Sequence, residues 1–574
     1  MPTLDWIGKD KVINHHMDVP YRVLDPQYEY GEPGGNMIIH GDNLSALKSL
    51  LPQYEGKIRC IYIDPPYNTG NEGWVYNDNV NDPRIRKWLG EVVGSEGEDL
   101  SRHDKWLCMM YPRLKLLHKL LAEDGVIFIS IDDNEYVNLK MICDEIFGSN
   151  CFVSNISWQR TYSTRNDSKG IVNEVEHILV YSKVQGWQPN KLPRTEKMNS
   201  TYKNPDNDIK PWASDNPCAP GAATHQGMVY AIQHPFTGKM VYPSNGACWR
   251  YQQDEMLSIM NGWCKYELRD LNDAPERAAV CGISADEVRQ GVQAIVLSES
   301  LEISKKNAEA VYKRGQWPKF YFTQGGKGGF RRKTYLDNVG GKPPTNLWEY
   351  EDVGHTDEAA KVLKAIFDGK STFDTPKPPR LIERILTIAG DKDTLILDSF
   401  AGSGATAHAV LNMNKQDGGN RKFILIEMMD YADSITAERV KRVIDGYGEG
   451  KKAVEGTGGG FTFYELGETL LDGEYLNENV PLDKIRSYVY FTETKQAVTD
   501  KADEPYFLGE YFDTAYYFYY DKNEVTTLDR EFLHMVKTTA QSYVIYADRC
   551  ILSDEELEKF HITFKKIPRD ITRM

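Results

Sequence analysis

A short apolar stretch that runs directly into a glycine turn restricts the fold of this chain more than any other feature. Residues 396–404 read Ile-Leu-Asp-Ser-Phe-Ala-Gly-Ser-Gly, and a helical pattern follows over 405–412. A buried strand that turns through glycine into a helix is typical of open α/β sheets, where glycine lets the backbone approach a ligand closely. The next strand pattern, over 422–427, ends on Glu427. The sequence therefore predicts an α/β fold with a nucleotide-type site.

The glycine spacing of this turn separates two kinds of cofactor. Phe-x-Gly-x-Gly over 400–404 is shorter than the Gly-x-Gly-x-x-Gly that binds a pyrophosphate. S-adenosylmethionine has no phosphate, so the short turn favours it, although this motif alone leaves open a dinucleotide site and plain helix–strand packing. Glu427 is the carboxylate expected to accept both ribose hydroxyls, with Asp430 as the alternative.

The chain is too long for one hydrophobic core, since its 574 residues exceed the size at which single cores stop growing. Two α/β blocks flank a segment rich in Pro, Gly, Asn and aromatic residues, in which only 285–310 has a helix-like pattern. The turn-rich residues 69–103 predict a mobile surface loop. The predicted units are an N-terminal arm (1–35), a first α/β half (36–183), an inserted module (184–345), a second α/β half (346–465) and an α+β C-terminal domain (466–574).

The first α/β half contains the tetrapeptide Asp64-Pro65-Pro66-Tyr67 directly after a buried-strand pattern. Proline fixes its own φ and keeps the preceding residue extended, so the Asp64 carboxylate and the Pro65 carbonyl are held as two rigid acceptors. An exocyclic amine presents two donors and is a poor nucleophile until its nitrogen becomes pyramidal. Two fixed acceptors favour that geometry and the positive charge that develops on the nitrogen. The Tyr67 ring offers a stacking face for a planar base.

The net charge of −16 argues against nucleic acid only if charge is summed over the whole chain, because phosphate binding depends on local charge. Residues 305–342 carry ten Lys and Arg against Glu309 and Asp337, and they include Gly-Gly-Lys-Gly-Gly-Phe-Arg-Arg-Lys over 325–333. A solvated basic face is one interpretation of this segment. The mixture of basic, glycine and aromatic residues is also typical of a loop that follows a phosphate backbone.

Together these motifs resemble the amino-methyltransferases of DNA. The order, with the tetrapeptide first and the cofactor turn some 330 residues later, resembles the β-group, in which a target-recognition domain lies between the two blocks. Residues 41–44 resemble the family segment at the cofactor's adenine, and 375–382 the segment at its methionine end. Residues 405–410, with 417–423 and the C-terminal 546–570, resemble more narrowly the modification subunits of type III restriction-modification systems.

The resemblance implies a Rossmann-like S-adenosylmethionine-dependent methyltransferase fold with circularly permuted motif order. It implies catalysis by Asp64, Pro65, Pro66 and Tyr67 without a metal. The implied cofactor residues are Asp42, Asn43, Asp64, Thr375, Lys377, Pro378, Asp398, Phe400, Ala401, Gly402, Gly404, Thr406 and Glu427. For the target base and DNA we expect Asn68, Trp158, His177, Lys327, Arg331, Arg332 and Lys333, with a purely structural role as the alternative for His177.

The expected activity is site-specific methylation of adenine N6 in duplex DNA, with S-adenosylhomocysteine as product. Adenine is preferred because cytosine members of the family usually place Ser where Asp64 stands. Methylation of cytosine N4, methylation of RNA or protein, and a specificity subunit with a vestigial catalytic site are the alternatives. A homodimer and a restriction subunit are the partners that the resemblance implies.

Other classes of protein fit the sequence poorly. The chain has no apolar run of about 20 residues and no signal-peptide layout at its start, and its nine Cys show neither Cys-x-x-Cys pairs nor zinc spacing. Reduced thiols in the cytoplasm are therefore expected. The sequence contains no phosphate-binding Gly-x-x-x-x-Gly-Lys-Ser/Thr loop and no clustered metal carboxylates, so it does not support a helicase or a nuclease.

Overall fold

The computed structural model describes residues 3–69, 83–93, 102–163, 171–496, 498–499, 501 and 503–569. The chain forms two compact units. The larger unit combines 1–190 with 344–574, and the smaller unit is the continuous segment 191–343. In the described part of the chain, none of the helices is long and apolar enough to cross a membrane.

A ten-stranded sheet organises the larger unit. Its strands in chain order are β1 (Arg22–Gly31), β2 (Met37–His40), β3 (Ile58–Ile63), β4 (Leu121–Ile131), β5 (Phe152–Gln159), β6 (Val175–Ser182), β7 (Leu347–Trp348), β8 (Leu395–Asp398), β9 (Lys422–Glu427) and β10 (Gly460–Thr469). In space they run β1-β10-β2-β9-β8-β3-β4-β6-β5-β7. The strands from β10 to β4 are parallel, whereas β1 and β6 pair antiparallel with their neighbours. The predicted α/β fold is confirmed.

Helices pack against the central strands. They are α1 (Asn43–Tyr54), α2 (Pro83–Val92), α3 (Arg102–Leu120), α4 (Tyr136–Phe147), α5 (Thr356–Ile366), α6 (Pro379–Ala389), α7 (Ala405–Asp417) and α8 (Glu438–Asp445). Almost every side chain of β3, β8 and β9 is buried, as expected for parallel strands that are covered on both faces. The strand predicted over 422–427 is confirmed to the residue by β9.

The N-terminal segment is not a separate arm, which corrects that prediction for residues 1–35. Strand β1 pairs antiparallel with β10 over its whole length, so backbone hydrogen bonds make it the edge of the main sheet. Trp6, Val12 and Val19, which precede this strand, are buried in the core. Most of the predicted loop 69–103 lies outside the described residues, but its middle forms the helix α2.

The smaller unit consists of short strands around an aromatic core that includes Trp212, Trp249 and Trp263. The prediction of one helix over 285–310 is wrong. The strand Ala294–Leu297 interrupts that stretch, and the helix begins only at Leu301, after Ser300 caps it by accepting from the Ile303 amide. Four successive apolar residues, 294–297, satisfy the helical and the strand patterns equally, and sheet pairing decides between them.

The C-terminal residues carry their own four-stranded sheet, of which Thr514–Phe518 and Ser542–Ala547 are the central strands. The aromatic run 516–520 contributes Tyr517 and Phe518 to two separate hydrophobic clusters. Its side chains are mainly buried, so this run belongs to the core of the C-terminal residues.

Candidate active site

The two sequence motifs meet at one edge of the main sheet. Strand β8 lies parallel beside β3, with Ile396 opposite Cys60, so both strands deliver their carboxyl ends to the same side. The tetrapeptide follows β3 and the glycine turn follows β8. A cleft opens there, with about 490 Å³ of space free of protein atoms, part of which is open solvent. Its lining is Asn43, Pro66, Met109, Arg113, Ser399, Phe400, Glu427, Met428, Met429 and Tyr431.

Asp64 is buried at the start of the tetrapeptide and is held by a lysine. The Lys377 ammonium donates to both carboxylate oxygens at 2.7 Å, and the Tyr67 hydroxyl donates to Oδ1 at 2.9 Å. Desolvation raises the pKa of Asp64, and the charge of Lys377 opposes that rise. The sequence assigned Lys377 to the cofactor, whereas the structure places its ammonium on the catalytic carboxylate 313 residues away.

Glu176 is a second buried carboxylate at this site, and its role was not anticipated. Its Oε2 lies 3.0 Å from the Tyr67 hydroxyl and 3.6 Å from Lys377 Nζ, while Oε1 accepts from Arg160 at 2.9 Å. Two acidic and two basic side chains thus surround one phenol. Residues 176–177 resemble a family segment that lines the target-base pocket. The prediction from this resemblance names His177 and not Glu176.

The backbone of the tetrapeptide is fixed by an indole. Trp106 Nε1 donates to the Pro66 carbonyl at 2.7 Å from the buried face of α3. Among the described residues, no donor is recorded on the Pro65 carbonyl. This oxygen and Asp64 therefore remain the two acceptors predicted to meet an amine.

The glycine turn is organised by Asp398, the last residue of β8. Its Oδ1 accepts from the Phe400 amide at 3.1 Å and its Oδ2 from the Thr406 hydroxyl at 2.6 Å. Gly402 and Gly404 have φ of 51° and 80°, which is the left-handed region that favours glycine. Thr406 is completely buried on Asp398 and so stabilises the turn, and its direct contact with a cofactor stays a prediction.

Glu427 ends β9 at the rear of the cleft. Its two oxygens accept from the Gly402 amide at 2.8 Å and the Met429 amide at 3.0 Å. Burial raises the pKa of Glu427 to about 7, and it raises that of Asp398 to about 7 as well. In the described part of the chain, Glu427 and not Asp430 is the carboxylate that lines the cleft.

The other predicted cofactor residues surround this turn. Asp42 caps α1 by accepting from the Ser45 amide, and Asn43 donates to the Ser399 carbonyl at 3.2 Å. Arg113 belongs to the same group, although no sequence pattern marks it. It lies on the buried side of α3 and donates to both Asp42 and Asn43. Ala401 is buried with its amide on Ile426, Thr375 has a φ of 47°, and Pro378 caps α6.

The cleft also contains features that fit a nucleoside ligand. Ser399 Oγ is buried without a hydrogen-bond partner among the described residues, and Ser399 lines the cleft. Glu427, which accepts hydrogen bonds when ionised, lines the same cleft. Met109, Met428 and Met429 supply a flexible apolar wall. Across the described ranges, no group of three or more His, Cys, Asp or Glu is placed to hold a metal ion.

Two predicted base or DNA contacts are corrected. The Trp158 indole is fully buried and donates to the Gly354 carbonyl at 3.0 Å, so it belongs to the core. Lys333 is enclosed in the smaller unit, where its ammonium bonds Asp206 and Asp208. A strand places alternate side chains on opposite faces, and position 333 points inward.

The other residues predicted to contact the base or DNA remain predicted contacts. Arg332 pairs with Asp215, and Arg331 donates to Ser214 at 3.1 Å, while Lys327 is exposed. His177 lies between Asn155 and Asp133, at 3.1 Å and 2.9 Å, which suits a structural histidine. Asn68 is buried on Glu135.

Comparison with known proteins places this geometry in a family. The family model described as DNA methylase, of the N6 and N4 type, matches residues 58–438, which include the tetrapeptide and Glu427. The chain is 32% identical to the type III restriction-modification enzyme StyLTI Mod subunit of Salmonella typhimurium over 77% of this chain and 62% of that protein. It is 29% identical to the EcoPI Mod subunit of Escherichia phage P1 over 74% and 63%.

A shorter relative is matched over more of its length. The type II methyltransferase M.KpnI of Klebsiella pneumoniae is 30% identical over 67% of this chain and 79% of that protein. By contrast, the chain spans less than two thirds of the two Mod subunits. The family match covers the tetrapeptide 64–67, the glycine turn and the carboxylate behind it, and the chain belongs to the N6/N4 family of DNA methylases.

Proposed function

We propose that the protein transfers a methyl group from S-adenosylmethionine to N6 of an adenine in duplex DNA, at a specific sequence. One observation carries this proposal. A single cleft is lined by Pro66 of the catalytic tetrapeptide and by Phe400 and Glu427 of the cofactor site. The acceptor of the methyl group and its donor would therefore meet at the carboxyl ends of β3 and β8, where open α/β sheets bind their ligands.

The residues at Asp64 suit the activation of an exocyclic amine. The carboxylate and the Pro65 carbonyl accept the two N–H bonds, and this directs the nitrogen lone pair away from the ring and toward the methyl group. S-adenosylmethionine, when bound, supplies that methyl on a positively charged sulfur. As the new N–C bond forms, the negative charge of Asp64 stabilises the positive charge on nitrogen. The surplus proton leaves through Asp64 or to solvent.

The cofactor end suits a cationic ligand. Among the described residues, Asp398 and Glu427 accept hydrogen bonds from backbone amides and the Thr406 hydroxyl, and no lysine or arginine is recorded on either carboxylate. Burial without a cation is the reason that the pKa of each rises to about 7. We infer that Glu427 binds the ribose hydroxyls and that Asn43, Ser399 and Phe400 contact the rest of the nucleoside.

Adenine is preferred over cytosine because Asp stands at position 64, where the family's cytosine enzymes usually carry Ser. The similarity to Mod subunits of type III enzymes supports the same choice. It also supports a restriction subunit as partner and a homodimer as the working form. The smaller unit, 191–343, is the candidate for reading the DNA sequence. Its exposed Lys327 remains a predicted phosphate contact.

A cytoplasmic location belongs to this proposal. All nine cysteines are free, and most are buried, as expected for a protein of a reducing compartment. The proposed reaction needs no redox chemistry from them.

Nucleoside mass spectrometry of DNA incubated with the protein and S-adenosylmethionine tests the proposal. The expected product is N6-methyladenine. N4-methylcytosine as the product would show that the substrate base is cytosine, with the same methylation of an exocyclic amine. DNA without any methylated base, over many sequences and with cofactor binding demonstrated, would instead identify a specificity subunit with a vestigial site.

A further inference from the structure

Lys377 occupies the place where the proposed reaction needs its substrate. Its ammonium spans both oxygens of Asp64 at 2.7 Å. The same nitrogen lies over the Tyr67 ring, 4.9 Å from the ring centroid. The lysine therefore covers one face of the ring predicted to stack on the base, as well as the carboxylate predicted to accept from the amine.

This arrangement conflicts with the chemistry proposed for the same site. A flipped base needs an open face of Tyr67 and at least one Asp64 oxygen directed at its amine. Methyl transfer also brings a positive sulfonium to within reaction distance of that amine, about 3 Å. An ammonium held on Asp64 repels both the sulfonium and the charge that develops on the nitrogen.

Glu176 offers Lys377 a second position. Its Oε2 is 3.6 Å from Lys377 Nζ, so a second carboxylate already lies within ion-pair distance of the ammonium, and the flexible four-carbon stem of lysine allows the ammonium to turn toward it and away from Asp64. The Tyr67 hydroxyl lies between the two carboxylates, 2.9 Å from Asp64 and 3.0 Å from Glu176. Arg160 holds the other oxygen of Glu176 in place.

We propose that Lys377 is a movable plug over Asp64 and Tyr67, and that Glu176 is the positioning residue that takes it from Asp64 when S-adenosylmethionine binds. This inference rests on the proposed function. In the closed position the ammonium covers Asp64 and Tyr67. In the open position it bonds Glu176, and the Asp64 carboxylate and the Tyr67 ring become available to the base.

Transfer between two carboxylates keeps the buried charges paired throughout. Asp64 and Glu176 are balanced by Lys377 and Arg160 in the closed position. When the lysine moves, Glu176 holds two cations, and Asp64 faces the amine that becomes positive. Neither carboxylate is left buried without a donor, and an unpaired buried charge is the costly state.

A pair of crystal structures tests the movement without relying on turnover. One contains S-adenosylmethionine and the other the neutral S-adenosylhomocysteine, which differs in the charge on sulfur and the methyl group. We expect Lys377 Nζ to be closer to Glu176 in the first and closer to Asp64 in the second. The same position in both complexes would overturn the proposal. If the lysine moves but no methylated base is ever found in DNA, the proposed function fails while the plug stands.

Kinetics of variants provide the second test. We expect Glu176→Gln to lower kcat about tenfold or more, with the KM for DNA and the Kd for S-adenosylmethionine changed less than about threefold, because Lys377 then stays on Asp64. Adding Lys377→Met to that variant removes the plug and is expected to raise kcat about threefold or more. Asp144→Asn, which disrupts a similar pair with Lys140 outside the site, is the matched control and should retain wild-type kcat.

Two results would contradict this role of Glu176. One is a Glu176→Gln variant with kcat within twofold of the wild type. The other is a double variant slower than Glu176→Gln alone at saturating cofactor and DNA, because Lys377 would then assist the reaction rather than block it. Thermal unfolding of each variant shows that the compared proteins are folded.

Discussion

Two lysines of this protein, Lys333 and Lys377, each lie close to two carboxylates, yet their surroundings differ. In the smaller unit, Lys333 Nζ bonds Asp206 at 2.5 Å, Asp208 at 2.6 Å and the Trp317 carbonyl at 2.7 Å. Three acceptors match the three hydrogens of an ammonium. At the active site, Lys377 directs two close contacts to Asp64, and the second carboxylate, Glu176, lies 3.6 Å away.

The difference separates a structural lysine from a movable one. Lys333 has no exposed side-chain surface, and its acceptors surround it, so its position is fixed. Lys377 keeps 10% of its side-chain surface exposed, and a second carboxylate, Glu176, lies 3.6 Å from its ammonium. The exposure of a charge and the carboxylates within its reach therefore tell more about its role than burial alone.

The largest expected effect concerns the fixed lysine. Lys333→Met leaves Asp206 and Asp208 buried without their cation, and we expect the free energy of unfolding to fall by about 3–5 kcal/mol. Urea unfolding followed by tryptophan fluorescence measures it, since the smaller unit has a tryptophan-rich core. The exposed Lys327→Met is the matched control, with an expected change under about 0.5 kcal/mol. Similar losses in both variants would refute the structural assignment of Lys333.

Glu427 is a carboxylate on which no lysine or arginine lies among the described residues. Burial raises the pKa of Glu427 from 4.5 to about 7, so the folded state binds this proton more tightly than the unfolded state. The stability that this proton provides is present below pH 4.5 and is lost as the pH rises through 7. Glu427→Gln cannot ionise. Relative to the wild type, we expect its free energy of unfolding to improve by about 2 kcal/mol between pH 5 and pH 8.

Urea titrations of both proteins at the two pH values measure this difference directly. A difference that does not vary with pH would show that Glu427 is paired with a cation in solution, as Asp64 is. The cofactor end would then lack the negative character that we assign to it.

The movable lysine is expected to matter least for stability. Lys377→Met removes the cation from Asp64, but the carboxylate keeps the Tyr67 donor and 12% of its side-chain surface stays exposed to solvent. We expect a loss of only about 1 kcal/mol in the free energy of unfolding at pH 7, measured beside Lys333→Met in the same titration. Equal losses for the two lysines would remove the distinction between them.

The sequence was sufficient for the central strands and for the two motifs. Strand β3 ends at Ile63, directly before Asp64, and strand β9 ends at Glu427 as predicted, because buried parallel strands are short apolar runs and the turns after them are marked by proline and glycine. Each residue of those motifs also has a separate chemical reason for its place, so the motifs could be interpreted without a structure.

Interactions between distant segments could not be predicted in this way. The pairing of β1 with β10 joins residues more than 400 positions apart, and Lys377 reaches Asp64 across 313 positions. Composition cannot show which charges fold inward, and it therefore predicts that Lys333 contacts DNA together with its basic neighbours. Glu176 was passed over for the same reason, since its function depends on what faces it.

In the proposed mechanism, Asp64 activates the amine while a separate group of residues holds the methyl donor. Asp64→Ala tests it most directly, by transfer of labelled methyl to DNA and calorimetric binding of S-adenosylmethionine on the same preparation. We predict that methyl transfer falls by about a thousandfold or more, as expected when the main electrostatic contact of a transition state is lost, while cofactor affinity stays within about threefold of the wild type. Sustained methyl transfer by Asp64→Ala would contradict the account.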